Sequence, residues 1–324
     1  MKRLAWGLPL LLSLACSSSS SSVGDASTIG QGVSLETMRP AEAAQIVQEF
    51  QAKYGIPPVA APDVEITSMA QVLEIIRGDR LNDFEEAREF TAGKQGSEAL
   101  TIRSYLETSF AGALLLAAAI LEEERRQDMT ELRQASQSRP LEGDADRAED
   151  QERAARLKEK TEDLRKVVRA LKVLSEEPLE AGSDLAEQAI RQDPKSQLAY
   201  LANANYYRLR ETWLEFDRMM RYADDTETGQ NPPVKTYLRA MEAMKRYVDQ
   251  AAAKKLLEET LARRPDFVRA QANLVLVDRN IEDKYQQLQK LKAVSPNHIV
   301  VRLAGPIIEE EYVTAQQLRG ALDQ

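Results

Sequence analysis

The residue types that carry most nucleophilic, acid–base and metal chemistry are nearly missing from this 324-residue chain, which holds one cysteine, Cys16, and one histidine, His298. A cysteine nucleophile needs an adjacent base to activate it, and a zinc site needs three or four His, Cys or carboxylate ligands. A Cys/His dyad, an HExxH site and a His/Cys metal cluster are therefore excluded. Phosphate-cradling loops are missing too. Gly93-Lys94 lacks the earlier glycine of a Walker A loop, and neither a GxGxxG run nor a GxSxG elbow occurs. Carboxylates are plentiful, and Glu122-Glu123-Glu124 and Glu309-Glu310-Glu311 place three in a row. Adjacent residues on a helix do not share a face, so these runs read as solvated helix surface and not as an acid and base pair. His298 reads as a surface or capping residue. The expectation is a protein that is not an enzyme and uses no metal and no cofactor.

Cys16 has a different chemistry open to it. Lys2 and Arg3 form a positive start, Leu4 to Leu14 an apolar run, and Ala15 a small residue before the cysteine; this is the order of an export signal, so residues 1–15 are read as a signal peptide. The apolar run is shorter than the ~20 residues a bilayer span needs. Leu12-Ser13-Leu14-Ala15-Cys16 resembles a bacterial lipobox, with the family's preferred leucine and small residue displaced by one position. That resemblance implies lipidation of Cys16 and cleavage before it. An exported chain with a single cysteine has no intramolecular disulfide partner, which fits a lipidated thiol; an incidental signal-peptide cysteine in a secreted protein is the alternative. Ser17 to Ser22 cannot pack a core and suit a flexible spacer, so residues 16–39 are read as lipidated cysteine plus tether. By analogy with Gram-negative lipoproteins, serine after the cysteine resembles the outer-membrane class. The expected location is the cell envelope, lipid-anchored at the outer membrane and facing the periplasm.

Removing Lys2 and Arg3 from the 43 basic residues leaves 41 against 52 acidic, a net charge of −11. Without a basic patch, nucleic acid is not expected as a partner. Fourteen glycines and 13 prolines punctuate the chain sparsely, which favours long helices.

A second group of residues suits contact chemistry. Residues 200 to 247 contain eight of the 18 aromatics, Tyr200, Tyr206, Tyr207, Trp213, Phe216, Tyr222, Tyr237 and Tyr247, and four of the eight methionines, Met219, Met220, Met241 and Met244. Methionine adapts to irregular surfaces, and tyrosine and tryptophan are favoured at contacts. Side chains of these types at helical spacing more often fill cores, and a groove is the alternative. If they form a groove, Tyr200, Asn203, Tyr207, Arg210, Trp213, Tyr237 and Met241 are the candidate partner- or ligand-binding residues, with Asn205 and Arg208 as further polar groups able to orient a ligand.

The elements that must position these residues follow from periodicity. Pro40 to Tyr54 has Ala44, Ile46, Val47 and Phe50 at helical spacing, and Gly55-Ile-Pro-Pro ends it. After a turn at Pro62, Ser68 caps a helix through Ile76, and Asn82 caps one toward Phe90. Ser97 to about Gln137 is a long helix whose apolar run, Phe110 to Leu121, reads as a central core segment. After a loop at 138–143, Asp146 to Ser175 is a charged helix in which Leu157, Leu164 and Leu171 recur every seven residues with Val168 between them, a seam suited to antiparallel pairing with the preceding helix. Residues 40–176 are thus read as an N-terminal helical region with a long hairpin.

From Asp184 the chain becomes self-similar. Pro194, Pro233, Pro265 and Pro296 fall at intervals of 39, 32 and 31. Ala186 and Ala189 precede Pro194, and Ala199, Tyr200 and Ala202 follow it; Ala253, Leu257 and Leu261 precede Pro265, and Ala270 and Ala272 follow it. Residues 184 to 304 resemble the tetratricopeptide repeat, in which about 34 residues form two antiparallel helices and a proline marks the exit. The family's Trp-Leu-Gly-Tyr signature is replaced after Pro194 by Tyr200, Asn203, Ala204 and Tyr207, which implies an irregular superhelix. The resemblance implies an all-α protein of antiparallel helical hairpins stacked as a solenoid over residues 177–304, preceded by the long charged hairpin and closed by a C-terminal capping helix over 305–324. It is similar to helical-repeat envelope lipoproteins such as the T-component of TRAP transporters or the lipoprotein of the outer-membrane barrel assembly machinery. The function expected is a tethered scaffold for a protein or peptide partner, touching the membrane through its N-terminal lipid. The alternative is a small-ligand-binding component that serves a solute transporter.

Overall fold

The computed structural model describes residues 38–54, 65–80, 83–137, 144–226 and 232–322. The expected signal peptide, Cys16 and Ser17–Ser22 lie outside the described residues, as do the expected helix stop at 55–58, turn at Pro62, cap at Asn82 and loop at 138–143. Among the described residues the chain forms thirteen helices and no strand.

Three short helices lead into a long hairpin. α1 (Pro40–Lys53) starts on a proline, whose missing N–H is not needed in the first turn, and buries Ala43, Ala44, Val47, Phe50 and Gln51. α2 (Met69–Gly78) is opened by a reciprocal cap: the Ser68 hydroxyl accepts from the Gln71 N–H, and the Gln71 side chain accepts from the Ser68 N–H. It closes on Asp79 in the left-handed conformation, φ 48°. α3 (Phe84–Thr91) then leads to α4 (Ser97–Gln137) and α5 (Asp144–Gln192).

α4 and α5 run antiparallel along their length. The Ser97 hydroxyl donates to the Ala189 carbonyl, the Ser104 hydroxyl donates to the Gly182 carbonyl at 2.6 Å, and Lys160 pairs with Glu124 and Asp128 at 2.7 and 2.8 Å. The heptad seam enters this contact: Leu164, Leu171 and Val168 are buried, and α1 lies on the other side of α5. Opposite them Phe110, Ala113, Leu114, Ala117, Ala118 and Leu121 form the centre of the main core. By length and composition α4 is apolar enough to cross a membrane, but 67% of its apolar window is buried inside the fold, as befits a core helix. Beyond that core the hairpin continues as a charged arm in which Arg153 meets Glu131.

α5 does not stop where the boundary between 176 and 177 was expected. It continues through Pro178, although proline removes one intrahelical hydrogen bond and crowds the preceding turn. Leu179, Ala186 and Ala189 are buried beyond that proline, and packing of this kind overrides the local preference to break. Gly182 marks the closest approach: a Cβ there would lie 2.6 Å from Thr108 Cγ2 and 3.3 Å from the Ser104 carbonyl oxygen. Gly182→Ala is expected to destabilise the protein by about 1–3 kcal/mol through overpacking, read as a lower urea midpoint at unchanged slope. An unchanged midpoint would show that α4 and α5 can move apart at no cost.

The remaining helices come in consecutive pairs: α6 (Gln197–Leu209) with α7 (Trp213–Asp225), α8 (Pro233–Lys245) with α9 (Gln250–Arg263), α10 (Val268–Val277) with α11 (Ile281–Val294), and the short α12 (Ile299–Leu303) with α13 (Gly305–Leu322). Each long exit falls on an expected proline, since α5, α9 and α11 end just before Pro194, Pro265 and Pro296. Side chains cap the starts of α6, α9 and α11: Ser196 accepts from Ala199, Asp249 from Ala252, and Asn280 from Glu282 and Asp283. The first helices of the pairs turn toward the N-terminal half. α6 packs on α4 and α5, α12 packs on α4, and α10 touches α2. α10–α13 therefore join the core built around α4, while α6–α9 and one face of α10 enclose a second apolar cluster that meets α4 at Tyr105.

Candidate functional site

The seven contact candidates do not line one groove. Tyr237 and Met241 face inward from α8 and are buried with Phe216, Met220, Leu238 and Leu257 in the core of the first two pairs. Asn203 is buried between α6 and α7, where its Nδ2 donates to the Met219 sulfur at 3.7 Å and its Oδ1 has no hydrogen-bond partner. The others are half-buried on the α6–α7 pair. The Tyr200 hydroxyl donates to the Pro194 carbonyl at 3.3 Å, and its ring tilts against Tyr222. Tyr207 meets Tyr206 edge-on at 5.0 Å. Arg210 turns away from solution to pair with Glu176 at 2.7 Å and with Glu180, fastening α6 to α5. Trp213 packs edge-on against Phe216, and Arg246 covers its face at 6.0 Å.

The acidic runs behave as ion-paired surface. Glu122 pairs with Arg125 at 2.7 Å, Glu123 with Arg126, Glu124 with Lys160, and Glu309 with Lys292.

Two arrangements that sequence reasoning missed stand out. The first is an exposed apolar edge where α6–α7 and α8–α9 turn. Leu214 and Tyr247 are 65% and 60% exposed, and Val248 between α8 and α9 is 70% exposed. Trp213 adjoins them through Arg246, whose guanidinium lies over both the Trp213 and Tyr247 rings and pairs with Asp217. Val248 adopts φ 54°, a left-handed conformation that a β-branched residue enters at a cost of about 1–3 kcal/mol. Glu211, in the corresponding turn between α6 and α7, has φ 56°. Val248 thus sits on a strained turn with its side chain in water beside exposed Tyr247, and Leu214 is exposed on the first turn of α7.

The second is a buried charged junction. Asp79, at the end of α2, receives the Arg269 Nε at 2.8 Å and also its Nη2, while His298 Nε2 lies 3.0 Å from its other oxygen. His298 opens α12: its Nδ1 accepts from the Val300 N–H at 3.1 Å, so the ring proton sits on Nε2 and is donated to Asp79. The capping role expected for His298 is present, and the burial of its ring is an addition. Burial by itself would raise the Asp79 carboxyl, but the Arg269 charge and the hydrogen bonds from His298 and Arg269 outweigh it and hold the group at about 2. The network extends along the first helices of the pairs, because the Asn273 Nδ2 donates to the Arg269 carbonyl and to the Tyr237 hydroxyl. These groups tie three distant parts of the chain together. Nothing in their geometry supplies a nucleophile.

Comparison with protein families, curated proteins and solved structures finds no significant match to this chain.

Proposed function

We propose that this protein is an envelope lipoprotein, held to a membrane through lipidated Cys16, whose paired helices form an irregular tetratricopeptide-like scaffold that binds a protein or peptide partner. The exposed edge formed by Trp213, Leu214, Tyr247 and Val248 carries the binding half of this reading. A folded monomer gains nothing in stability from exposing Leu214 and Tyr247 or from holding exposed Val248 on a strained turn, whereas aromatic and aliphatic anchors beside an arginine are the composition of interface centres. The export signal and Ser17–Ser22 support the tethered half, since a serine spacer gives a folded body reach from a membrane. The expected location is the outer membrane, facing the periplasm. The protein acts by holding its partner and not by transforming it.

The test is photo-crosslinking in intact cells from a probe amino acid placed at Leu214 or Val248, with a probe at exposed Arg165 on α5 as control. One discrete adduct from the edge and none from α5 is the expected result. Equal, diffuse labelling from both would remove the edge as a docking site. A small-ligand role is the second reading, and one observation favours it: the interior polar network of the first helices, which includes a half-buried arginine.

A further inference from the structure

His298 is the only histidine in the chain, and the fold removes it from water: its side chain is fully covered, and that of Asp79 is 3% exposed. Both ring nitrogens are engaged. Nε2 lies 3.0 Å from the Asp79 Oδ2, and Nδ1 accepts the Val300 N–H at 3.1 Å, which caps the start of α12. One nitrogen donates and the other accepts, a division that only the neutral ring can make, because an imidazolium is a donor at both. A second ring proton would point at the Val300 N–H, donor against donor. With no exposure, the ring cannot turn that proton to solvent.

The surrounding charges do not compensate. From α2, Asp79 is the one anion bonded to the ring, and its other oxygen already receives the Nε and Nη2 of Arg269 from α10. Asp79 and Arg269 cancel, so a protonated His298 would leave a net positive charge in the interior, which costs free energy unless it is paired. Arg80, next to Asp79, is turned to Asp83. On α12 itself Arg302 lies one turn beyond His298, and burial pushes its guanidinium below its ordinary pKa; it adds a cation and not an anion. The α4 segment that shares the core with α12, Phe110–Leu121, contains no ionisable residue. Across α11 and α13, which also pack on α12, Lys292 pairs with Glu309 and Arg319 with Glu282.

We infer that His298 is an acid-operated latch: uptake of a second ring proton removes the cap of α12 and releases the last helix pair, α12 and α13, from α2 and α4. The proton binds to the open form, in which both ring N–H groups face water, so acidification draws the equilibrium toward opening. The latch is closed at pH values above those at which an exposed histidine ionises, about pH 6.5, and it opens as pH falls through and below that value. Asp79, held at about 2, stays ionised over this interval, so His298 is the member of the junction that changes. Opening uncovers Ile299, Val300, Val301 and Leu303 on α12 and Ile308 on α13, all buried in the closed fold. These aliphatic side chains form an apolar surface that is presented only in acid. The latch does not depend on the partner-binding reading, because it lies at the C-terminal pair and not at the α6–α7 and α8–α9 turns.

A single histidine lets the ring be followed directly, since the full-length protein labelled in histidine gives one imidazole. The experiment is NMR titration of that protein from about pH 7.5 to about pH 5, paired with amide hydrogen exchange corrected for the intrinsic effect of pH. The expected result is a neutral ring protonated on Nε2 at the upper end, replaced by an imidazolium toward the lower end. Amide protection over 299–304 should fall at least about tenfold at the same pH, with that of α8 unchanged. His298→Asn keeps an oxygen that can accept the Val300 N–H and has nothing to titrate, so α12 should stay protected across the range. A ring that becomes charged while α12 remains protected overturns the proposal, because the closed fold then accommodates the charge. A ring that stays neutral to the lower limit overturns it too, as does a His298→Asn variant that loses protection with the same pH profile as the parent. If the variant is unprotected at both ends of the range, the titration of the parent decides the question alone.

Discussion

Asp79→Asn is expected to destabilise the fold by about 3–5 kcal/mol, because it removes one member of a buried charged junction and leaves Arg269 uncompensated. Asparagine is the informative replacement: it keeps the size of the side chain and tolerates the left-handed backbone at φ 48°, so the loss reports charge and not strain. Adding Arg269→Met to it should recover part of the stability, since the unpaired cation and not the missing carboxylate is the main penalty. A double variant as unstable as the sum of the two singles would mean the groups act independently. The pH dependence follows the same logic. The folded carboxyl titrates at about 2 and the unfolded one at its ordinary 3.8, so the stabilisation is fully present above about pH 5 and is lost as pH falls through 2. Urea midpoints of the parent should therefore drop by the equivalent of about 2–3 kcal/mol over that interval from this group, and the Asp79→Asn variant should lack this component. Parallel pH curves for the two proteins would show that Asp79 is not held ionised by its neighbours.

Local features of the sequence located the elements because their causes are local. Ser68 with Gln71, the apolar spacing of Ala44, Val47 and Phe50, and the prolines at 194, 265 and 296 each act within a few residues, and the corresponding helices start and stop close to the expected places. The Leu164 and Leu171 seam shows that a helix has a buried stripe, and its antiparallel mate was the nearest long helix. The helix expected to end at Ser175 runs on through Pro178 instead, because burial on both sides of the proline at Ser175 and Leu179 overrides its local cost. The Asp79, Arg269 and His298 junction was not legible for the opposite reason. Its members are 190 and 219 positions apart, and nothing around Asp79 distinguishes it from a surface aspartate at a helix end. The aromatic and methionine cluster had two readings of equal pattern. Periodicity shows that a residue shares a face, but not whether another helix covers that face. Tyr237 and Met241 proved covered while Tyr222 and Tyr247 proved open.

The way the helices cover one another bears on where a partner can act. In a free-standing array the first helices of successive pairs would offer their shared face to a ligand. Here α4 and α2 already occupy part of that side, and Asp79 locks α2 to the starts of α10 and α12. The surfaces left for a macromolecule are the turns and the outer helices, which is where Leu214, Tyr247 and Val248 lie.

Cys16→Ser is expected to move the protein from the membrane fraction almost entirely to the soluble periplasmic fraction, the largest change any single substitution should produce in its location. The physical case rests on what else could hold it. α4 has the composition of a membrane segment, but most of its apolar window is engaged inside the fold, and the N-terminal apolar run is too short to span a bilayer. A net charge of −9 over the whole chain gives no attraction to anionic lipid. Acyl chains on Cys16 would contribute about 0.8 kcal/mol for each buried methylene, and two or more chains anchor a protein stably. Fractionation of cells expressing parent and variant, with the N-terminus of each determined by mass spectrometry, separates the readings. A parent whose mature chain begins at a lipid-bearing Cys16, with a soluble variant, supports the tether. A variant that stays in the membrane fraction with residues 1–15 attached would instead identify the leader itself as the anchor. A variant that remains membrane-bound after losing them would place the attachment on the folded body, and the exposed edge between α6–α7 and α8–α9 would then be the first surface to examine for it.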